Sequence, residues 1–294
     1  MDLKGIFTAL VTPFNRRSEL DLSQIPHLIE FQRSAGVDGL VVCGTNGEGP
    51  SLSVPERMGL LENVLQHRRG LKVIAATGAA ALADTLALTA HASDVGCDAV
   101  LVLPPFFFKC AGPEGFARSF EKVARVTKVP IILYSIPQLS GVPITSSLLR
   151  LLKDCQGLCG VKESSGDRAA AVEILTEHPD YSLYVGSDDL AAELLTLGAA
   201  GIISGTANAF PELLIGVWRA HRDGKGLAEA QERLNAAISI VIQYPMVANM
   251  KAVLAIRGIA DLDVRLPLVA LTQSERNALR EKLLAADLLQ QKGA

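Results

Sequence analysis

The chain reads Gly157-Leu158-Cys159-Gly160-Val161-Lys162-Glu163-Ser164-Ser165 where an apolar segment meets a lysine. Residues 157–161 follow a helix-like run and predict a strand that is buried on both faces. Lys162 stands at the carboxyl end of that strand, and lysine is seldom buried without a specific reason. Taken alone, the segment favours a strand that has ended with Lys162 in water. The rest of the chain favours a functional interpretation.

The same unit, an apolar strand followed by a helix, repeats along the first three quarters of the chain. The predicted strands cover residues 6–11, 39–43, 72–76, 98–103, 130–134, 157–161, 182–186 and 201–204. Continuous apolar runs are typical of parallel strands that are covered on both faces. Eight such units predict an α/β fold, a (β/α)8 TIM barrel, and a doubly wound open sheet is the structural alternative.

The pattern of alternating strands and helices stops after residue 223. Residues 224–244, 246–256 and 274–290 have helical spacing and no intervening strand pattern. We therefore expect a barrel domain over residues 1–223 and a C-terminal appendage of three helices over residues 224–294. Within the barrel, Ser53 and Glu56 predict a capping box at the start of a helix, and Gly36 predicts a helix end.

Composition excludes several classes of partner. The chain has 28 basic and 31 acidic residues and a formal net charge of -3, so it carries no basic field for nucleic acid. Its apolar runs are of strand length, which predicts no membrane span. The first residues lack a signal-peptide pattern, and five scattered cysteines are typical of free thiols in a reducing compartment. We expect a cytoplasmic protein.

In a barrel, the carboxyl ends of the strands meet at one mouth, where active sites lie. The residues expected there are Thr12, Thr45, Asn46, Thr77, Phe106, Phe107, Tyr134, Lys162, Ser164, Asp188, Asp189 and Ser204. Lys162 is the only long cation in this set. The five histidines lie on predicted helices or their ends, so neither a catalytic triad nor a metal site is expected at the mouth.

A lysine, a phenol, hydroxyls and backbone groups together indicate Schiff-base catalysis, which needs no cofactor. Lysine attacks a ketone as the neutral amine, and apolar neighbours such as Leu133, Val161 and Ile203 favour that form. The resulting iminium withdraws electrons and permits cleavage or formation of the adjacent carbon–carbon bond. Tyr134 can carry the protons. The glycine-rich turn over residues 44–49 lacks the features of a polyphosphate loop and suits a small anion such as a carboxylate.

At this point the sequence resembles the dihydrodipicolinate synthase and N-acetylneuraminate lyase superfamily of class I, pyruvate-dependent aldolases. The resemblance covers essentially the whole chain. It rests on GTNGEG (44–49), PPFFF (104–108), YSIPQLSG (134–141), GVKESSGD (160–167), GSDD (186–189), GIISGTAN (201–208) and VRLPL (264–268). The order and spacing of these motifs make the set specific, although each one alone is weak.

The resemblance implies a role for individual residues. Lys162 would be the Schiff-base lysine, Tyr134 the proton shuttle, and Ile203 a backbone carbonyl near the pyruvyl group. Thr45 and Asn46 would lie near the pyruvate carboxylate. Further substrate contacts are implied for Ser164, Gly186, Asp188 and Asp189. The family is usually a homotetramer, a dimer of dimers.

Two departures from the synthase branch count against lysine biosynthesis. That branch has a tyrosine pair where this chain has Phe106 and Phe107, and one of those tyrosines relays protons in a neighbouring subunit's site. It also has an arginine where this chain has Leu139. We therefore expect Phe107 to be an apolar wall or an interface contact.

Other positions divide between two further branches. Leu139-Ser140-Gly141, Ser164 and Asp188-Asp189 are similar to the neuraminate lyase branch, although Gly205 replaces a hydroxyl of that branch. Asn46 and Ser135 are similar to the 4-hydroxy-2-oxoglutarate aldolase branch.

The residues and the resemblance together predict an aldolase or lyase that acts on pyruvate or a related 2-keto acid and a small aldehyde. The precursor would be a 2-keto-3-deoxy sugar acid or 4-hydroxy-2-oxoglutarate. A sialic-acid lyase and a dihydrodipicolinate synthase are alternatives. A barrel that binds a keto acid without catalysis is a hypothesis of another class.

Overall fold

The computed structural model describes residues 3–289, and eight parallel strands within that range close into a barrel. The strands are β1 Gly5–Ala9, β2 Gly39–Val42, β3 Lys72–Ala76, β4 Ala99–Val102, β5 Ile131–Ser135, β6 Leu158–Glu163, β7 Ser182–Val185 and β8 Gly201–Ser204. Each strand pairs with the next along the chain, and β1 pairs with β8. The (β/α)8 prediction is confirmed, and the open-sheet alternative is wrong.

The strands are apolar throughout because each one is covered on both faces. In β2, Val41 packs inside the barrel with Phe7 and Ile74, while Leu40 and Val42 pack outward in the layer beneath the helices. Both sets of side chains are almost completely buried. Alternation of polar and apolar residues would place polar groups in one of these two cores.

Helices follow the strands, and those between consecutive strands return the chain to the opposite end of the barrel. They are α1 Ile25–Ala35, α2 Val54–His67, α3 Leu82–Asp94, α4 Gly112–Ala124, α5 Pro137–Ser140, α6 Ser146–Leu151, α7 Arg168–Glu177, α8 Ala191–Thr196 and α9 Pro211–Asp223. The capping box is confirmed, since the side chain and backbone N–H of Ser53 both bond to Glu56. Gly36 ends α1 with a φ of 93°.

The first strand is shorter than the sequence pattern predicts. The apolar run continues through Val11, but β1 ends at Ala9. The N–H of Val11 donates to the side chain of Asn208, 2.8 Å away, instead of to a neighbouring strand. A side chain 197 positions away therefore ends this strand.

Three further helices follow the barrel, as predicted: α10 Leu227–Val241, α11 Ala248–Ile256 and α12 Gln273–Ala285. The predicted end of the third helix, Gln290, lies outside the described residues. Gly224 and Gly226 join α9 to α10 with φ values of 69° and 71°. We propose this link as the division between a barrel domain, 1–223, and a helical domain, 224–294. Among residues 3–289, no helix is both long and apolar enough to cross a membrane.

Candidate active site

Lys162 lies inside the barrel rather than in water, and it is only 5% exposed. It pairs in register with Tyr134 on β5 and with Tyr184 on β7, whose side chains belong to the interior core. The Nζ atom of Lys162 lies 4.3 Å from the centroid of the Tyr134 ring. β6 continues one residue past Lys162, to Glu163. The amine is therefore held on a strand inside the barrel.

Tyr134 connects this amine to the glycine-rich turn between β2 and α2. Its hydroxyl lies 3.3 Å from Oγ1 of Thr45, within hydrogen-bond distance. The tyrosine is almost completely buried, whereas Thr45 and Asn46 are half-buried and face a cavity. Tyr134 therefore contacts the amine through its ring and the turn through its hydroxyl.

A cavity of about 420 Å³ opens above Lys162 at the mouth of the barrel. Its polar lining consists of Thr45, Asn46, Tyr134, Gln138, Lys162, Ser164, Ser187, Asp188, Thr206, Tyr244 and Asn249. Lys162 is the only basic and Asp188 the only acidic side chain among the described residues that line it. The cavity thus combines one amine with one carboxyl group.

Two glycines make room for polar side chains in this cavity. A Cβ atom on Gly186 would lie 1.8 Å from Oγ of Ser164, and one on Gly205 would lie 1.9 Å from Nδ2 of Asn46. The Ser164 hydroxyl is buried and has no hydrogen-bond partner among the described residues. Larger residues at either glycine would displace groups that line the cavity.

Asp188 follows β7 in a 3-10 turn over Asp188–Leu190. Its Oδ2 accepts a hydrogen bond of 2.7 Å from the hydroxyl of Ser204, and its buried Oδ1 has no partner among the described residues. Burial raises the pKa of the Asp188 carboxyl, while the hydroxyls of Ser204 and Thr206 and the charge of Lys162 act in the opposite direction. This carboxyl group can accept a further hydrogen bond.

Several residues that the sequence places at the mouth or the site do not line this cavity: Thr12, Thr77, Phe106, Phe107, Asp189, Ile203 and Ser204. Asp189 is exposed and is not among the residues that enclose the cavity. Ile203 is fully buried in β8, in the interior core with Tyr134. Phe107 also lies outside this cavity, and it is 73% exposed.

Sequence reasoning missed the contribution of the C-terminal helices. Ile238, Val241 and Ile242 from the end of α10, and Tyr244, Met246, Asn249 and Met250 around the start of α11, form a wall of the cavity. Nothing in the local sequence marks these residues, since they are separated from Lys162 by more than 70 positions. Gln138 was also missed. Its side chain lines the cavity and donates to the carbonyl of Ser164 at 2.6 Å.

A second cavity of about 370 Å³ lies on the other side of Thr45 and Tyr134. It contains Arg57 of α2, a buried cation that the sequence pattern did not reveal. The guanidinium donates to the carbonyls of Ala76 and Gly78, and burial lowers its pKa. The described residues form no cluster of three or more side chains suited to a metal ion.

Comparison with known proteins agrees with this geometry. The sequence model of the dihydrodipicolinate synthetase family matches residues 2–286. A relative in Chloroflexus aurantiacus, named an uncharacterized DapA-like lyase, is 38% identical over 291 residues and is matched over 96% of this chain and 97% of its own length.

Solved structures resemble the chain over nearly its whole length. One is a prophage protein of the dihydrodipicolinic acid synthase family from E. coli K12 in complex with pyruvate, with a TM-score of 0.93 at 27% identity, covering 98% of this chain and 99% of that one. Another is the N-acetylneuraminate lyase of Proteus mirabilis, with a TM-score of 0.91 at 28% identity, covering 98% and 100%. The chain therefore belongs to the dihydrodipicolinate synthetase family, whose members are lyases of the class I aldolase type.

Proposed function

We propose that this enzyme is a Schiff-base aldolase for a 2-keto acid with a hydroxylated, uncharged tail, of the 2-keto-3-deoxy sugar acid type. It would cleave this acid to pyruvate and a small hydroxyaldehyde, or run the reverse condensation. The observation that carries the proposal is the buried amine of Lys162, the only cation lining the cavity among the described residues, beside the Tyr134 phenol.

The proposed reaction uses groups that lie within the cavity. The keto acid's carboxylate binds at Thr45 and Asn46, which places its carbonyl carbon at Nζ of Lys162. The neutral amine adds to that carbon, and loss of water leaves an iminium. A base then removes the proton of the substrate's C4 hydroxyl, and the bond between C3 and C4 breaks. The electron pair moves into an enamine, which takes up a proton at C3, and water releases pyruvate from the lysine.

Tyr134 is the proposed carrier of these protons, because its ring lies beside the amine and its hydroxyl lies 3.3 Å from Oγ1 of Thr45. It delivers a proton to the hydroxyl that leaves the carbinolamine and accepts one from the substrate hydroxyl during cleavage.

The charge inventory of the cavity favours an uncharged tail. A dicarboxylate such as 4-hydroxy-2-oxoglutarate brings a second negative charge, and no second cation lines this cavity among residues 3–289. That carboxylate would also lie near the Asp188 carboxyl group, and ionising two carboxyl groups that share a confined site is costly. A hydroxyl group, in contrast, can donate to the Asp188 carboxyl group.

A substrate panel tests this specificity. We expect higher kcat/KM for 2-keto-3-deoxy sugar acids than for 4-hydroxy-2-oxoglutarate, measured as pyruvate release. N-acetylneuraminate belongs in the panel as the alternative lyase substrate. Robust condensation of pyruvate with aspartate semialdehyde would instead identify a dihydrodipicolinate synthase. Ligand binding without turnover of any keto acid would support the non-catalytic alternative.

Replacing Asp188 by asparagine should weaken recognition of the tail. A hydrogen bond to a charged group contributes about 1.5–3 kcal/mol, so kcat/KM for the preferred sugar acid should fall about 10- to 10²-fold. Trapping of pyruvate on Lys162 should be retained, since pyruvate has no tail. Equal losses for sugar acid and pyruvate would show that Asp188 does not recognise the tail.

We also propose that the enzyme is a cytoplasmic homotetramer. The five cysteines are free, which suits a reducing compartment. Phe107 and Phe108 are 73% and 70% exposed and pack edge to face, with ring centroids 5.3 Å apart. An exposed aromatic pair of this kind suits a contact between subunits.

Replacing Phe107 by alanine should therefore disturb assembly more than the chemical step. Sedimentation would report smaller species at low protein concentration, while the assembled fraction would keep its single-turnover rate. A collapse of that rate in a protein with unchanged assembly and stability would contradict the interface role and indicate a catalytic one.

A further inference from the structure

A buried ion pair joins the glycine-rich turn to the C-terminal helices. Oε1 of Glu48, in the turn, accepts a hydrogen bond from Nζ of Lys251, in α11, at 2.5 Å. The two side chains are 0% and 2% exposed. The partners are 203 positions apart, so the pair fastens together two distant parts of the chain.

The remaining polar atoms of the pair are also satisfied. Oε2 of Glu48 accepts from the backbone N–H of Arg265 at 2.9 Å, and Nζ of Lys251 donates to the carbonyl of Asp263 at 2.6 Å. The ammonium also lies 4.7 Å from the centroid of the Phe14 ring. Burial lowers the pKa of Lys251, whereas the charge of Glu48 raises it. Each charge therefore needs the other in order to remain buried.

The pair lies immediately behind the residues that line the cavity. Glu48 closes the turn, since its N–H donates to the carbonyl of Thr45 at 3.0 Å, and its backbone is left-handed with a φ of 52°. On the other side, Lys251 directly follows Asn249 and Met250, which line the cavity. The ion pair thus connects two walls of one cavity.

We propose that Glu48 and Lys251 are positioning residues that hold Thr45 and Asn46 in place for the carboxylate of the 2-keto acid. The pair makes no contact with substrate and acts through the turn. Loss of the pair displaces the turn and weakens binding of the keto acid. Lys162 on β6 and Tyr134 on β5 stay in place. The inference rests on the proposed function.

The test is the double variant Glu48→Gln, Lys251→Met, which removes both charges and keeps the approximate shape of both side chains. Borohydride traps the pyruvate adduct, and intact mass measures its amount against pyruvate concentration. We expect the half-saturating concentration of pyruvate to rise about 10- to 10²-fold, as for a displacement of about 1 Å. Trapping at saturation should remain complete, because an effect on binding alone leaves the chemical step unchanged.

A matched control removes another ion pair of the same C-terminal region. Arg276 and Asp261 bind each other at 3.0 Å, and neither lines the cavity above Lys162. The variant Asp261→Asn, Arg276→Met should show the pyruvate dependence of the wild type.

The outcomes separate this inference from the proposed function. A wild-type protein without any adduct on Lys162 would refute the proposed function itself. A wild-type adduct with unchanged half-saturation in the folded double variant would refute only the positioning role. If the double variant does not fold, Glu48→Asp decides, because aspartate tolerates the left-handed backbone and its shorter side chain draws the carboxylate away from Lys251. Unchanged half-saturation in that variant would also refute the positioning role.

Discussion

Replacing Lys162 by alanine is expected to abolish both turnover and the borohydride-stable adduct with pyruvate. No other amine lines the cavity among the described residues, so nothing can replace the lysine as a nucleophile. Wild-type protein treated with pyruvate and borohydride should gain the mass of one reduced adduct, on the peptide that contains Lys162. The alanine variant should gain none.

Arginine at position 162 serves as the charge-retaining control. Guanidinium stays protonated and is not a nucleophile, so Lys162→Arg should also show neither turnover nor a pyruvate adduct. Lys109 and Lys251 provide the internal comparison. Lys109 is exposed, and the amine of Lys251 forms an ion pair with Glu48. An adduct on either of these lysines, or normal activity in a folded Lys162→Ala protein, would refute the mechanism.

Replacing Tyr134 by phenylalanine is expected to slow the reaction by about 10²- to 10⁴-fold, the usual effect of losing a general acid–base group. The substitution keeps the ring that packs beside Nζ of Lys162 and removes only the hydroxyl that lies 3.3 Å from Thr45. Some adduct should still form, but more slowly. Single-turnover kinetics would measure adduct formation and carbon–carbon cleavage separately.

Tyr181 provides a matched control for this variant. Its hydroxyl donates to the carbonyl of Leu152 at 3.1 Å, outside the cavity. Tyr181→Phe removes one hydrogen-bonded tyrosine hydroxyl outside the cavity and should leave both rates unchanged. Equal rate losses in the two variants would indicate a general effect on stability instead of proton transfer by Tyr134.

The sequence alone predicted the barrel because its evidence is local and periodic. A strand covered on both faces must be apolar at every position, and this property is visible in eight short windows. The position of Lys162 followed from the same logic, since the carboxyl ends of parallel strands share one mouth. Its burial between Tyr134 and Tyr184 agrees with that expectation. The catalytic roles of Lys162 and Tyr134 stay predictions.

Tertiary structure decided which polar residues share the cavity. Asp188 and Asp189 are adjacent in sequence, yet one is buried in the cavity lining and the other is exposed. The direction of each side chain depends on the 3-10 turn that follows β7. A pair of identical residues carries no local signal that distinguishes them.

The contacts between distant segments likewise emerged only with the folded chain. Tyr244 and Asn249 reach the cavity because α10 and α11 pack over the mouth, and Glu48 meets Lys251 across 203 positions. Hydrophobic periodicity determines which face of a helix is buried, but it does not determine which distant residue that face meets. The sequence by itself therefore determined the barrel and the end of it that carries the lysine. Packing among its elements determined the walls of the cavity and the ion pair behind them.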